Sequence, residues 1–407
     1  MNRKNISKYG SLLSLYVAQA IPMSFFSTVV PVIMRQEEYS LQSIGLIQLV
    51  KLPWILKFLW APYIDRQNNT CRDYKKWIIG SEIFYAIIIL GIGFLDISQS
   101  FTTIIVLMVI AFTASATQDI ATDAYAILSL RKEDRSVGNS MQSSGSFIGT
   151  LVGSGVLLLI YDQFGWKFLL IGLAAFVTVA VLPVVSFKKK AKVLRHHQPA
   201  HRVSMKDIGS FFKQQGIMKR VLLLAIFYSG IIGILTMIKP FLVDINFSVM
   251  EIGLMSGVYG TGVAIVIALL MGGFIKKWGR RFSLRLIPFF GLMASTYFLW
   301  LTQINITFYH IFIGVALVWG AYGASSVIVY TIAMDTVRKG REGTDFTIQI
   351  VITHLSSLII AVSSGKVADV LGYSGLFAIE VVMCVLVITA TYFLYQENKA
   401  KSYAYTA

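Results

Sequence analysis

Apolar positions in this chain do not alternate as in strands. They run together in blocks of about 20 residues, the length a helix needs to cross roughly 30 Å of hydrocarbon. Such blocks fall near residues 11–34, 41–64, 77–96, 101–126, 138–160, 167–187, 220–243, 250–275, 284–303, 307–335, 344–368 and 374–396. The pattern predicts an all-α integral membrane protein of twelve transmembrane helices. The first block is too long for the apolar core of a cleavable signal and lacks a small-residue cleavage site, so it reads as the first span.

The polar positions divide these blocks six and six. The longest polar connection, 188–219, carries KKKAKVLRHHQPAHR and then a segment with Met205, Ile208 and Phe212 on one helical face, suited to a short helix on an anionic inner leaflet. Expected units are therefore an N-terminal bundle 1–187, a cytoplasmic linker 188–219 and a C-terminal bundle 220–407. At an offset of 207 residues the halves repeat: RKEDRSVGNSMQ at 131–142 aligns with RKGREGTDFTIQ at 338–349, and YDQFGW at 161–166 with ADVLGY at 368–373. Parallel repeats of this kind build alternating-access transporters.

Composition agrees: 407 residues, 56% hydrophobic and 14% charged, with mean hydropathy +0.69. A formal charge of +16 would suggest nucleic acid in a soluble chain, but 30 of the 36 Lys and Arg lie in alternate connections. That asymmetry marks the cytoplasmic face, puts both termini inside and removes the nucleic-acid reading. Cys71 and Cys384 form no disulfide framework or metal spacing, and His196, His197 and His201 read as a solvated basic linker rather than a metal site. No cofactor, no metal and a monomer are expected.

Charge inside a span costs about 2.5 to 3.5 kcal/mol on insertion scales, so each intruding residue needs a partner or a purpose. KLPWILKFLWAPYIDR at 51–66 holds Lys51 and Lys57; either they snorkel and neutralise a structural acid, or they meet a substrate. QDIATDAYA at 118–126 sets Asp119 and Asp123 four residues apart on one helical face, at a depth close to that of Lys57. A buried ion pair and a proton-coupling carboxylate are both open readings there. Gln19 beside Pro22, Gln118, and Lys239 beside Pro240 complete the residues assigned to a central cavity, with interfacial placement the plainer alternative for Lys239. Glu82, His354, Lys366 and Glu380 are further polar intrusions, while Trp54, Trp60, Trp300 and Trp319 read as interfacial belt or packing rather than a substrate platform.

GGFIKKWGRR at 272–281 resembles the signature between the second and third helices of each half of the major facilitator superfamily, with Gly272, Lys277, Gly279, Arg280 and Arg281 in place and Lys276 at the acidic position. APYIDR at 61–66 is its first-half counterpart and keeps Asp65 and Arg66. The eleventh span begins near Thr344 and Asp345, and an anion such as Asp65 is favourable at a helix N-terminus, so an inner latch is expected there. Lys276 has the wrong sign to repeat that contact at the fifth span, which predicts an asymmetric latch.

LPWILKFLWAPYIDR, QDIATDAYA with RKEDRSVGNSMQ, and GTDFTIQ at 343–349 resemble the AmpG and acetyl-CoA transporter branch of that superfamily, and within it the RhtX/FptX group of siderophore permeases. The resemblance implies proton-driven import of a bulky polar solute across the bacterial inner membrane, a ferric siderophore first and an AmpG-type muropeptide second. It also implies a cavity lined by the first, fourth, seventh and tenth spans. An intramembrane enzyme would need a nucleophile or metal constellation, and the chain has no HExxH, no GxSxG and no P-loop. A non-transporting receptor is the other class that remains.

Overall fold

The computed structural model describes residues 3–36, 38, 47–67, 70–97, 99–186 and 203–395; the three linker histidines lie outside them. Among the described residues there are helices and no strands, and nine helices are long and apolar enough to cross a membrane. Seven are single passages: α1 (Ser7–Arg35), α3 (Cys71–Gly93), α4 (Phe101–Ser129), α7 (Ile217–Asp244), α8 (Met250–Trp278), α9 (Arg280–Leu301) and α10 (Phe308–Met334).

The other two, Lys132–Val185 and Glu342–Phe393, have 54 and 52 residues. A straight helix of that length would run about 75 to 80 Å, far more than a bilayer. Each is broken once, at Gly165 (φ 72°) and Gly372 (φ 69°), where glycine takes a backbone conformation other residues avoid. The chain doubles back at both points, giving α5 (135–164), α6 (166–186), α11 (342–371) and α12 (373–393). Ser14 donates to the Ala180 carbonyl and Lys75 to the Val184 carbonyl, returning the end of α6 to the basic end of the bundle. In the second pair Tyr373 donates to Asp244 at the far end, while Arg285 lies over the Tyr392 ring at the basic end. The two glycines are partners in the 207-residue repeat.

The second span departs from expectation. Residues 41–46 of the expected span 41–64 lie outside the described residues, and the rest is not one helix but a broken passage, α2 (47–67), made of a 3₁₀ turn Ile47–Lys51, a helical turn Leu52–Leu56, a 3₁₀ turn Lys57–Leu59 and a short helix Ala61–Gln67. Pro53 and Pro62 lack the amide hydrogens a continuous helix would use, which divides the passage. Lys51, Trp54 and Lys57, three apart on either side of and within the helical turn Leu52–Leu56, line one face together. Among the described residues the nine helices, two of them doubled, make eleven long apolar segments, and α2 is a broken one beside them.

Within the first half α1 packs on α5, and α3 on α4 and α6; in the second, α7 packs on α12, α8 on α10, and α9 on α10 and α12. The halves meet where α5 lies against α8 and α10, and where α11 lies against α2 and α4. Gly272 sits in the first of these seams, and a side chain there would press on Ser140 and approach the Ser136 carbonyl to 3.0 Å. Large apolar side chains such as Leu159, Phe168, Ile359, Val370 and Phe393 are exposed around the outside, as a lipid-facing surface requires.

Candidate functional site

Hydrogen bonds between the halves gather toward the basic end. Asp65 Oδ1 and Oδ2 accept the Gly343 and Thr344 amides at 3.1 and 2.6 Å, and Tyr74 donates to the same carboxylate at 2.6 Å. Those amides open α11, so the acid caps a helix that has no other acceptor for them. Asp345, one residue on, is buried and takes a two-pronged contact from Arg338, whose guanidinium also reaches Ser210 and the Asp207 carbonyl of the linker helix Lys206–Phe212. Arg341 donates to Asp207 at 2.6 Å. Burial works to raise the Asp207 pKa, but the Ser204 amide and Arg341 outweigh it and hold the carboxyl below its usual value.

The other seam is tied with opposite polarity. Lys276 donates to Asp134 at 2.7 Å, the residue preceding α5; Arg280 bonds Asp335 and the Lys132 carbonyl; Arg135 reaches Asp335 and the Met334 carbonyl. Lys276 does not repeat the amide-capping contact of Asp65; it pairs instead with the Asp134 side chain, so the two seams are tied by different contacts. Gly279 turns the chain between α8 and α9 (φ 84°), and Arg66, Lys277 and Arg281 lie exposed at the basic end without entering either seam. Replacing Asp65 with alanine removes the cap from α11. Bonds to a charged group are worth roughly 1.5 to 3 kcal/mol each, so the basic end should open at least tenfold more often. Distances between spin labels at Lys132 and Lys339 report that opening, and an unchanged distribution would refute the latch.

Away from these ties a cavity of about 480 Å³ lies between the halves, its walls mixing apolar surface with a cluster of polar side chains. From α1 come Tyr16, Gln19, Ser24, Ser27 and Thr28; from α2 Lys51, Trp54 and Lys57; from α4 Asp119 and Asp123; from α5 Gln142, Ser146 and Thr150; from α10 Tyr330; from α11 His354. The seventh span contributes none of the lining residues, and the second, fifth and eleventh supply what it was expected to bring. A separate groove between α3 and α4, lined by Trp77, Phe84, Val109 and Ile110, is apolar and carries no comparable polar cluster.

The charges in the cavity are arranged as two different units. Lys57, 2% exposed, forms an ion pair with Asp119 and rests 4.7 Å from the Trp54 ring centre. Asp123, 1% exposed, has no cation bonded to it among the described residues; its Oδ1 accepts from the Tyr16 hydroxyl at 2.6 Å and the Gln142 amide at 3.2 Å. Spacing of four along α4 places both acids on one face, as the sequence implies. Gln19 donates to Gln118 across α1 and α4. Ser146, Thr150 and Gln142 were not anticipated; their spacing of four on α5 was the available signal.

Lys239 and Trp54 depart from their expected placement, and Glu82, a further proton-coupling candidate, lies apart from the cavity. Lys239 is exposed on α7 and does not line the cavity; Pro240 marks a place where the helix lacks a donor but does not set which face points inward. Glu82 is buried on α3 outside the cavity, with both carboxylate oxygens unpartnered among the described residues. Trp54 lines the cavity rather than the membrane interface, whereas Trp60 bonds Thr117, Trp319 packs against Gly260 and Trp300 stands exposed beside His310.

The sequence pattern of the Major Facilitator Superfamily matches residues 12–360. The chain belongs to that superfamily. It is 24% identical over 385 residues to the anhydromuropeptide permease of Escherichia coli (strain K12), covering 92% of this chain and 77% of that protein. It is 28% identical over 406 residues to the putative transporter AmpG 3 of Rickettsia prowazekii (strain Madrid E), covering 95% of each. Among solved structures, the superfamily proton:xylose symporter XylE bound to 6-bromo-6-deoxy-D-glucose has a TM-score of 0.72 at 11% identity, over 96% of this chain and 94% of that one. The superfamily transporter FucP in its outward conformation scores 0.72 at 13% identity, over 97% and 100%. A bacterial homologue of the iron transporter ferroportin scores 0.68 at 16%, over 98% and 100%. These structures share the fold. A relative of matching length bears an AmpG name, so a chain of this size does not separate the AmpG and siderophore readings.

Proposed function

We propose that this major facilitator transporter is a proton-driven importer of a muropeptide-type solute. The bundles 1–187 and 220–407 would rock about the central cavity, with 188–219 joining them and the basic end facing the cytoplasm. The observation that carries the reading is Asp123, a buried cavity carboxylate held only by neutral donors beside a second acid already paired with lysine. Lys51, Lys57, Asp119 and Asp123 sum to zero charge when both acids are ionised. A proton on Asp123 leaves the cavity at +1, which favours an anionic solute, and by linkage the solute favours the proton. Asp119 stays with Lys57 because separating that pair would strand a charge away from water.

The names of the relatives support a muropeptide over a siderophore as cargo. Uptake of labelled anhydro-muropeptide and of radioiron-loaded siderophores, in cells with and without this protein and with and without an uncoupler, tests it. Uncoupler-sensitive muropeptide accumulation is expected. Iron accumulation alone would move the cargo to the siderophore class, and uptake insensitive to the uncoupler would overturn proton drive.

A further inference from the structure

We propose that Lys51 and Trp54 form a carboxylate subsite that orients the cargo in the cavity, an inference that rests on the carrier reading above. Its basis is an uneven distribution of free donors. Lys57 is satisfied by Asp119, but Lys51, which lines the same cavity, has no carboxylate partner among the described residues. The indole N–H of Trp54, one turn away, is buried and bonds to nothing among them. Lys51 and Trp54, three apart where the helical turn Leu52–Leu56 begins, both fall on the cavity-lining face of α2.

The opposite walls offer the reverse. Thr28 on α1 gives its hydroxyl proton to the Ser24 carbonyl, while Ser146 and Thr150 on α5 give theirs to the Gln142 and Ser146 carbonyls. With those protons committed, the oxygens face the cavity as acceptors and suit N–H or O–H groups of a solute, not an anion. A solute carrying a peptide carboxylate and several N–H and O–H groups would therefore seat its carboxylate on α2 and its donors on α1 and α5. Charge-assisted bonds are about twice as strong as neutral ones, and an ammonium with an indole N–H reads the two oxygens of a carboxylate but not the nitrogen of a carboxamide.

The probes are a short N-acetylated peptide with a free C-terminal carboxylate, its C-terminal carboxamide, and the labelled anhydro-muropeptide. Binding to the purified full-length protein is followed by thermal shift and tryptophan fluorescence. The acid is expected to bind about 10- to 100-fold more tightly than the carboxamide, the range that loss of one charge-assisted bond implies. Lys51→Ala should erase that preference, Lys51→Arg keep most of it, and Trp54→Phe weaken acid binding while sparing the ring that Lys57 packs on. Equal binding of acid and carboxamide to the unaltered protein, absence of acid binding, or a preference that survives Lys51→Ala would each overturn the subsite. Failure of the cargo reading looks different: the muropeptide would not accumulate in cells, while Lys51-dependent acid binding would persist.

Discussion

Lys57→Ala is expected to cost about 3 to 5 kcal/mol of stability, the range for removing one member of a buried ion pair. The lysine is 2% exposed and its partner Asp119 is 4% exposed, so the acid left behind would have neither cation nor bulk water. Against a total stability of about 5 to 15 kcal/mol, that is enough to lower the amount of folded protein in the membrane and its melting temperature in detergent. The double variant Lys57→Ala with Asp119→Ala removes both charges together and should recover part of the loss, since no unpaired charge is left while the space vacated by both side chains still costs packing. A cycle of the two single variants and the double one therefore separates pairing from packing. Wild-type melting in Lys57→Ala would show that the pair contributes nothing to the fold.

The spans were legible because a bilayer demands long apolar runs and leaves little room for other solutions. Asp119 and Asp123 were legible for a similar reason: two acids four apart on an apolar helix must share a face, and Lys57 lay at the matching depth. Facing was harder. Lys239 on α7 and Lys51 on α2 look alike in sequence, each a lone lysine near a proline, yet one is exposed outside the cavity and the other lines it. What separates them is the local winding of α2 and the packing of its neighbours, neither of which an apolar pattern encodes. Lys276 teaches a related point, since the fifth span is tied by a side chain, Asp134, that the helix-terminus argument left out. Gly165 and Gly372 stood in the repeat as matched positions, but only their backbone shows that they reverse the chain.

Asp123→Asn separates coupling from binding. The asparagine keeps the size of the side chain and an oxygen that accepts from Tyr16 and Gln142, but it can no longer release or take up a proton. Uphill accumulation should therefore fall to simple equilibration, while exchange of labelled for unlabelled solute continues at a rate that no longer responds to an uncoupler. Asp119→Asn should behave differently, because it strands Lys57 and loses stability along with both activities. The expected contrast follows from partner chemistry: one acid is matched to a cation, the other to neutral donors, and on the proposed mechanism only the second changes charge during the cycle. Measuring accumulation and exchange side by side in proteoliposomes decides it. Continued uphill accumulation by Asp123→Asn would end its role as the coupling carboxylate, and equal loss of accumulation and exchange would place it in folding or solute binding instead.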